Sequence, residues 1–182
     1  MATPISIDLA QIAWTSGNIT RFEVTGNYGA KQLLQEDPTT AIAVVHRADL
    51  GHDIKEGKAA VFLYIELSIT SGNSAQPNGI SGRFEIDFTF AIGNLAELVV
   101  DREGSDSLLH PQLVLMLTSV AYSTARGILW TRLAGTPLEG ITLPLVNPAQ
   151  LLQPASPAVI PPAAGKKPRA SLARPKKSKP AQ

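Results

Sequence analysis

Hydrophobic and polar residues alternate with period two along two stretches of the chain. In "AVFLYIELSITS", Val61, Leu63, Ile65, Leu67 and Ile69 fall on one side and Tyr64, Glu66, Ser68 and Thr70 on the other, the pattern of a strand with one buried face. "RFEIDFTF" repeats it, with Phe84, Ile86, Phe88 and Phe90 opposed by Arg83, Glu85, Asp87 and Thr89. The intervening "SGNSAQPNG" is rich in turn formers, so the two runs are predicted as antiparallel neighbours. "NITRFEVT", with Ile19, Phe22 and Val24 alternating imperfectly, and the β-branched "TTAIAVVH" predict two more strands. "HRADLGHD" reads as a turn between strands.

After "GSDSLLHP" the period becomes helical. Pro111 suits a first-turn position, and "QLVLMLTSVAYSTARGILWTRLAG" runs without another proline to Gly135, a C-terminal cap. This helix is long and mostly apolar. Thr118, Ser119, Ser123, Thr124 and Thr131 carry small hydroxyls that can bond back to the preceding turn, and only Arg126 and Arg132 are charged. One sheet covers one side of such a helix, so the remaining apolar circumference predicts another subunit, with Ala121, Ala125 and Gly127 admitting a close neighbour. A loop follows that carries Leu138, Ile141, Leu143 and Leu145 among prolines, although loops usually lie in water. Asn147 and Pro148 then open a short helix, "NPAQLL", that Pro154 stops.

The charge distribution divides the chain in two. Of 16 basic residues against 15 acids, seven (Lys166, Lys167, Arg169, Arg174, Lys176, Lys177 and Lys179) lie in residues 153–182, which contain no acid. Nine remain against 15 in residues 1–152, leaving a body of about −6 and a tail of about +7. Residues 1–152 are expected to form one domain. Residues 153–182, rich in Pro, Ala and Lys with few large apolar side chains, are expected to be a disordered tail. The absence of cysteine excludes disulfides, zinc knuckles and thiol chemistry. Neither a signal peptide nor an apolar run of membrane-spanning length is expected, which predicts a soluble, cytoplasmic protein.

Catalytic chemistry finds little support in these residues. No phosphate-binding glycine loop is present, and "GISGR" is not a nucleophile elbow. His46, Asp49, His52 and Asp53 cluster without helical ligand spacing or a clear further ligand, so no metal site is assigned. His110, before Pro111, suits capping or packing. Glu85 and Asp87 share a strand face but lack a convergent histidine or lysine. The chain is read as a non-enzyme without cofactors. The basic tail could hold RNA or DNA through phosphates, although it has no interleaved aromatics to stack on bases.

From about Ile12 to Leu152 the sequence resembles the SecB family of export chaperones. The resemblance is most specific in "AYSTARGILWTRLAGTPLEGITLPLVNPAQLL", which is similar to the family's helix segment, glycine turn, apolar connecting loop and "LxPVN" entry to the last helix. "FEV", "LYIELSIT" and "GRFEIDFTFAI" fit the strands more loosely. The resemblance implies an α+β fold: a four-stranded antiparallel sheet with a long helix and a short C-terminal helix packed on one face. It also implies a homotetramer, a dimer of dimers, with Ala121, Ala125 and Ile128 on the interface helix.

The function it implies is an ATP-independent holdase that keeps unfolded polypeptides or preproteins translocation-competent in a hydrophobic groove. Leu138, Ile141 and Leu143 would form a groove wall, with Phe88, Phe90 and Trp130 contributing. Glu23 and Glu85 match acidic positions where the family docks the SecA motor, while Asn18 and Arg83 depart from that pattern. Pro154 also shortens the last helix, the terminus is more basic than is usual, and "QLVLMLTSV" replaces a proline-containing segment. Two alternatives stand beside the export holdase: a dedicated chaperone of a toxin–antitoxin system, and a nucleic-acid-associated adaptor acting through the tail.

Overall fold

The computed structural model describes residues 7–26, 40–70, 77–100, 107–153 and 158–160. Four long strands, β1 (Ile12–Thr25), β2 (Ala41–Asp53), β3 (Lys58–Thr70) and β4 (Pro77–Ile92), form an antiparallel sheet in the order β1-β4-β3-β2. The period-two pattern sets its two faces. Val61, Leu63 and Ile65 of β3 stand opposite Phe88, Ile86 and Phe84 of β4, and all six are buried. Tyr64, Glu66, Arg83 and Glu85 turn to the other, wetter face. Two short strands, β5 (Val99–Val100) and β6 (Leu108–Leu109), pair with each other. Helices α1 (Pro111–Arg132) and α2 (Pro148–Leu151) complete the α+β architecture that the sequence predicts.

Two strands differ from their sequence-based expectation. The ladder between β1 and β4 shifts register between Trp14 and Ser16 and again between Ile19 and Arg21. These bulges account for the imperfect alternation: each extra residue resets the phase, so Gly17, Ile19, Phe22 and Val24 pair with the inward-facing Phe88, Ile86, Phe84 and Gly82. The segment "HRADLGHD" is not a turn. It continues β2, paired residue by residue from His46↔Ile65 to Asp53↔Lys58, and the reversal comes at residues 54–57. Asp53 Oδ1 accepts the N–H groups of Lys55 (2.9 Å) and Glu56 (3.1 Å), and Gly57 takes a positive φ of 60°.

Helix α1 begins as the sequence predicts, with Pro111 in its first turn and the His110 ring accepting the Gln112 N–H at 3.4 Å. Gly135, just past its end, has φ 75°. Leu113, Leu117, Ala121, Ala125 and Leu129 recur every fourth residue and are buried against the sheet. Thr124 and Thr131 donate back to the carbonyls of Val120 (2.9 Å) and Gly127 (3.2 Å). One correction concerns Ala121 and Ala125. Both are fully buried within this chain, so their small side chains bring α1 close to its own sheet and are not free for a neighbouring subunit, while Ile128 is half-buried. A second correction concerns span length. At 22 residues, α1 is long and apolar enough to cross a membrane, yet one side of it is core.

The connecting loop is core rather than wet surface. Leu138, Ile141 and Leu143 are buried, whereas Leu145 is 84% exposed. The Arg126 guanidinium donates to the Leu143 carbonyl at 3.0 Å, and Gly135 N–H donates to Glu139 at 2.8 Å. Asn147 caps α2 through the Ala149 N–H at 3.0 Å. The expectation of a tail without structure also needs correction: Ala158–Ile160 forms β7, antiparallel to β2 at Ile42–Val44, and makes a fifth strand. The basic residues from Lys166 onward lie outside the described residues.

Candidate polypeptide-binding surface

Strand β1 carries the inner face beyond the reach of the helix. Hydrogen-bonded on one side to β4, it places Trp14, Gly17, Ile19, Phe22 and Val24 on the same face as the buried phenylalanines of its neighbour. Trp14 lies 6.3 Å from Phe88 and Phe22 5.1 Å from Phe84, ring centre to ring centre, within the range of favourable aromatic contact. The inner ring of each pair is buried. Trp14 remains 56% exposed and Phe22 38% exposed.

Local chemistry fixes the shelf in place. The Trp14 indole N–H donates to the Ser16 carbonyl at 2.6 Å, across the first bulge. At Gly17 an added Cβ would lie 3.1 Å from the Trp14 ring and 3.3 Å from Phe88, so glycine keeps the strand low enough for the indole to lie over it. Between the shelf and α1 runs an open groove of about 840 Å³, bounded by Gly17, Asn18 and Ile19 on one side and by Thr124, Gly127, Ile128 and Thr131 on the other. Its helix wall mixes the small Ser123, Thr124, Gly127 and Thr131 with Ile128 and Arg132. A Cβ at Gly127 would meet nothing within 4 Å, so the groove is open there. The exposed Val120 and Trp130 lie on the same helix.

The outer face of the sheet is largely polar and crossed by ion pairs. Arg21 bonds Glu23 at 3.1 Å and Glu85 at 2.8 Å, and Arg83 lies 3.7 Å from Glu66. Burial, with the Glu85 charge adding to it, raises the pKa of Asp87 above its ordinary value. Glu23 and Glu85 therefore share one surface but also share one arginine. Beneath α1, His46 packs edge-on to Tyr122 with ring centres 5.7 Å apart. Burial lowers the His46 pKa and pushes that of Tyr122 up to about 12, so both are neutral near pH 7. Among the described residues no group of three or more metal-ligating side chains occurs.

The six residues expected to line a groove do not form one open surface. Phe88, Phe90, Leu138, Ile141 and Leu143 are core, and Trp130 stands 56% exposed on α1. Leu138 packs into a notch made by Gly82, where a Cβ would sit 2.5 Å from the Leu138 side chain and 2.6 Å from Phe84. The loop thus closes the core over β4. Sequence reasoning missed Trp14 and Phe22; the available signal was two aromatic residues on a strand whose alternation was poor.

No family model and no curated protein matches this sequence. Solved structures do match the fold, which is SecB-like. One is the Mycobacterium tuberculosis Rv1957 SecB-like chaperone in complex with a ChAD peptide from the Rv1956 HigA1 antitoxin. It is similar with a TM-score of 0.52 at 12% identity, over 75% of this chain and 91% of that one.

Proposed function

We propose that this chain is a chaperone that binds unfolded polypeptide without nucleotide, working as a homotetramer in the cytoplasm and keeping its clients soluble for export. The observation that carries this reading is the aromatic shelf of β1 beside the open groove along α1. It sets exposed aromatic area beside an open groove of mixed polar and apolar lining, in which Arg132 is the one charged residue, with no cluster of charges to select a particular side chain. Such surfaces hold extended chains by area rather than by sequence. The part of α1 that its own sheet leaves uncovered, including Leu115, Val120 and Trp130, suits contact with further copies.

A dedicated role toward an antitoxin is the second reading, supported by the antitoxin peptide on the structurally similar Rv1957. Docking to the SecA motor through Glu23 and Glu85 is the weaker part of the export reading, because Arg21 already pairs with both. Binding of nucleic acid belongs to the basic tail alone.

The test is dilution of a chemically unfolded client with and without this protein, nucleotide omitted, alongside its mass by light scattering. Suppressed aggregation by a species of about four subunits supports the proposal. A monomer that leaves aggregation unchanged overturns it.

A further inference from the structure

On the outer face of the sheet one row sets an aromatic ring between two acids. Phe62 of β3 has Asp49 of β2 and Asp87 of β4 as its direct cross-strand partners, near enough for the side chains to interact. The ring is 43% exposed, although this face is largely polar. The three residues share an open hollow of about 370 Å³ with Arg47, Tyr64 and Glu85. Three carboxylates against one guanidinium leave the hollow negative.

The neighbouring row shows what this face does with a cation. Arg47 lies over the Tyr64 ring, 6.0 Å from its centre, and reaches Asp49 at 3.2 Å. A ring and a carboxylate together thus hold one guanidinium. Phe62 and Asp87 repeat that combination of ring and acid, and among the described residues no cation pairs with Asp87. Burial and the Glu85 charge both raise the Asp87 pKa, so an arriving positive group would offset a cost that the fold leaves standing.

The same chain supplies positive groups. Residues 161–182 carry seven Lys and Arg and no acid, against about −6 for residues 1–152. Strand β7 fixes where this tail starts, because Ile160 pairs with Ile42 at one end of β2. Asp49 lies seven residues further along β2, ~24 Å away, whereas a tail of that length reaches ~70 Å when extended. A tether of this reach gives its cations a high effective concentration at the face.

We infer that the basic tail docks on the outer face of its own sheet, with a lysine or arginine side chain over Phe62 and against Asp87. The docked tail also shields Glu85, so a basic partner reaches this face only by displacing it. The contact is independent of the chaperone reading, because it lies on the face turned away from the aromatic shelf.

The chain has no cysteine, so Ser178→Cys in the full chain gives a single position for a nitroxide label. Isotope-enriched, nitroxide-labelled chain is diluted into an excess of chain carrying neither label, so that contacts within one chain are read as amide line broadening along β2, β3 and β4. The expected result is broadening at Asp49, Phe62 and Asp87 that disappears in ~1 M salt, where the screening length is about 3 Å. Glu85→Gln combined with Asp87→Asn is expected to reduce it at least about twofold. Glu56→Gln combined with Glu97→Gln, which removes two exposed acids elsewhere, is expected to leave it in place, and urea denaturation verifies that both double variants fold. Equal losses in the two double variants, or no broadening on this face in the parent chain, overturn the proposal. A steeply salt-dependent affinity of that same parent for a DNA oligonucleotide would then give the tail to nucleic acid.

Discussion

Two regions of this molecule carry conspicuous apolar residues, and they have opposite fates. The loop from Thr136 to Val146, bent by prolines, reads as surface, yet its Leu138, Ile141 and Leu143 are core. Strand β1 reads as an ordinary sheet member, yet its Trp14 and Phe22 form the open shelf. The difference lies in what each region faces. The loop lies over β4, where Gly82 leaves a notch for Leu138. β1 sits at the sheet edge, with α1 packed toward the sheet centre, so its inner side is only partly covered: Ile19 and Val24 are half-buried against the core while Trp14 and Phe22 stay exposed. Apolar composition says that a residue wants a cover; position decides whether its own chain provides one.

The sharpest way to break this contrast is to truncate the loop. Leu138→Ala is expected to lower stability by ~2–5 kcal/mol, read by urea denaturation, because it empties a fully buried site. A loss below about 1 kcal/mol would mean that the loop is a removable cover rather than core. Approaching the same packing from the sheet, Gly82→Ala is expected to cost ~1–3 kcal/mol by overpacking. The new Cβ would meet the side chain of Leu138 and the ring of Phe84, both fully buried.

The shelf should respond in the opposite sense. Trp14→Ser and Phe22→Ser are expected to lower stability by only ~1–2 kcal/mol each, because both rings are partly exposed. Each should nevertheless weaken binding of reduced, carboxymethylated α-lactalbumin by roughly tenfold, the scale expected when an aromatic anchor of an interface is truncated. Unchanged affinity would move the binding surface away from β1. A large loss of stability would make β1 core like the loop.

Smaller effects sharpen the comparison through charge. Burial lowers the folded-state pKa of His46 below its ordinary 6.5, so the ring is neutral in both states above that pH. As pH falls through 6.5 toward the folded-state value, the unfolded chain takes up the proton first and stability declines. Replacing His46 with Phe should remove that part of the pH slope, measured by urea denaturation from about pH 7.5 to about pH 5. Arg21→Gln, on the exposed outer face, should cost at most ~0.5 kcal/mol and less still in high salt. It would also unmask Glu23 and Glu85, so a basic partner should bind the variant better than the parent chain.

Much of the architecture is legible in the sequence because it depends on local periodicity. The alternation of β3 and β4 marks two strands and their faces, and the cap residues Pro111, Gly135 and Asn147 mark the helices. β2 reads shorter than it is because "HRADLGHD" has the composition of a turn, whereas its inward positions, His46, Ala48 and Leu50, keep strict alternation. Ala121 and Ala125 suggest a neighbouring subunit because small residues admit close approach without saying whose backbone approaches. The expected groove residues mislead for a related reason: Phe88 and Leu138 are as apolar as any groove wall, and burial by their own chain leaves nothing for a client.

By itself, then, the sequence determined the period of each segment, the ends of its helices, the separation of a −6 body from a +7 tail and the likeness to a known fold. Tertiary structure alone decided which apolar surfaces find a cover within the chain. That decision depends on which strand lies at the edge, where two bulges reset the phase of β1 and how far α1 extends over the sheet, and each of these is set by contacts between residues distant in sequence.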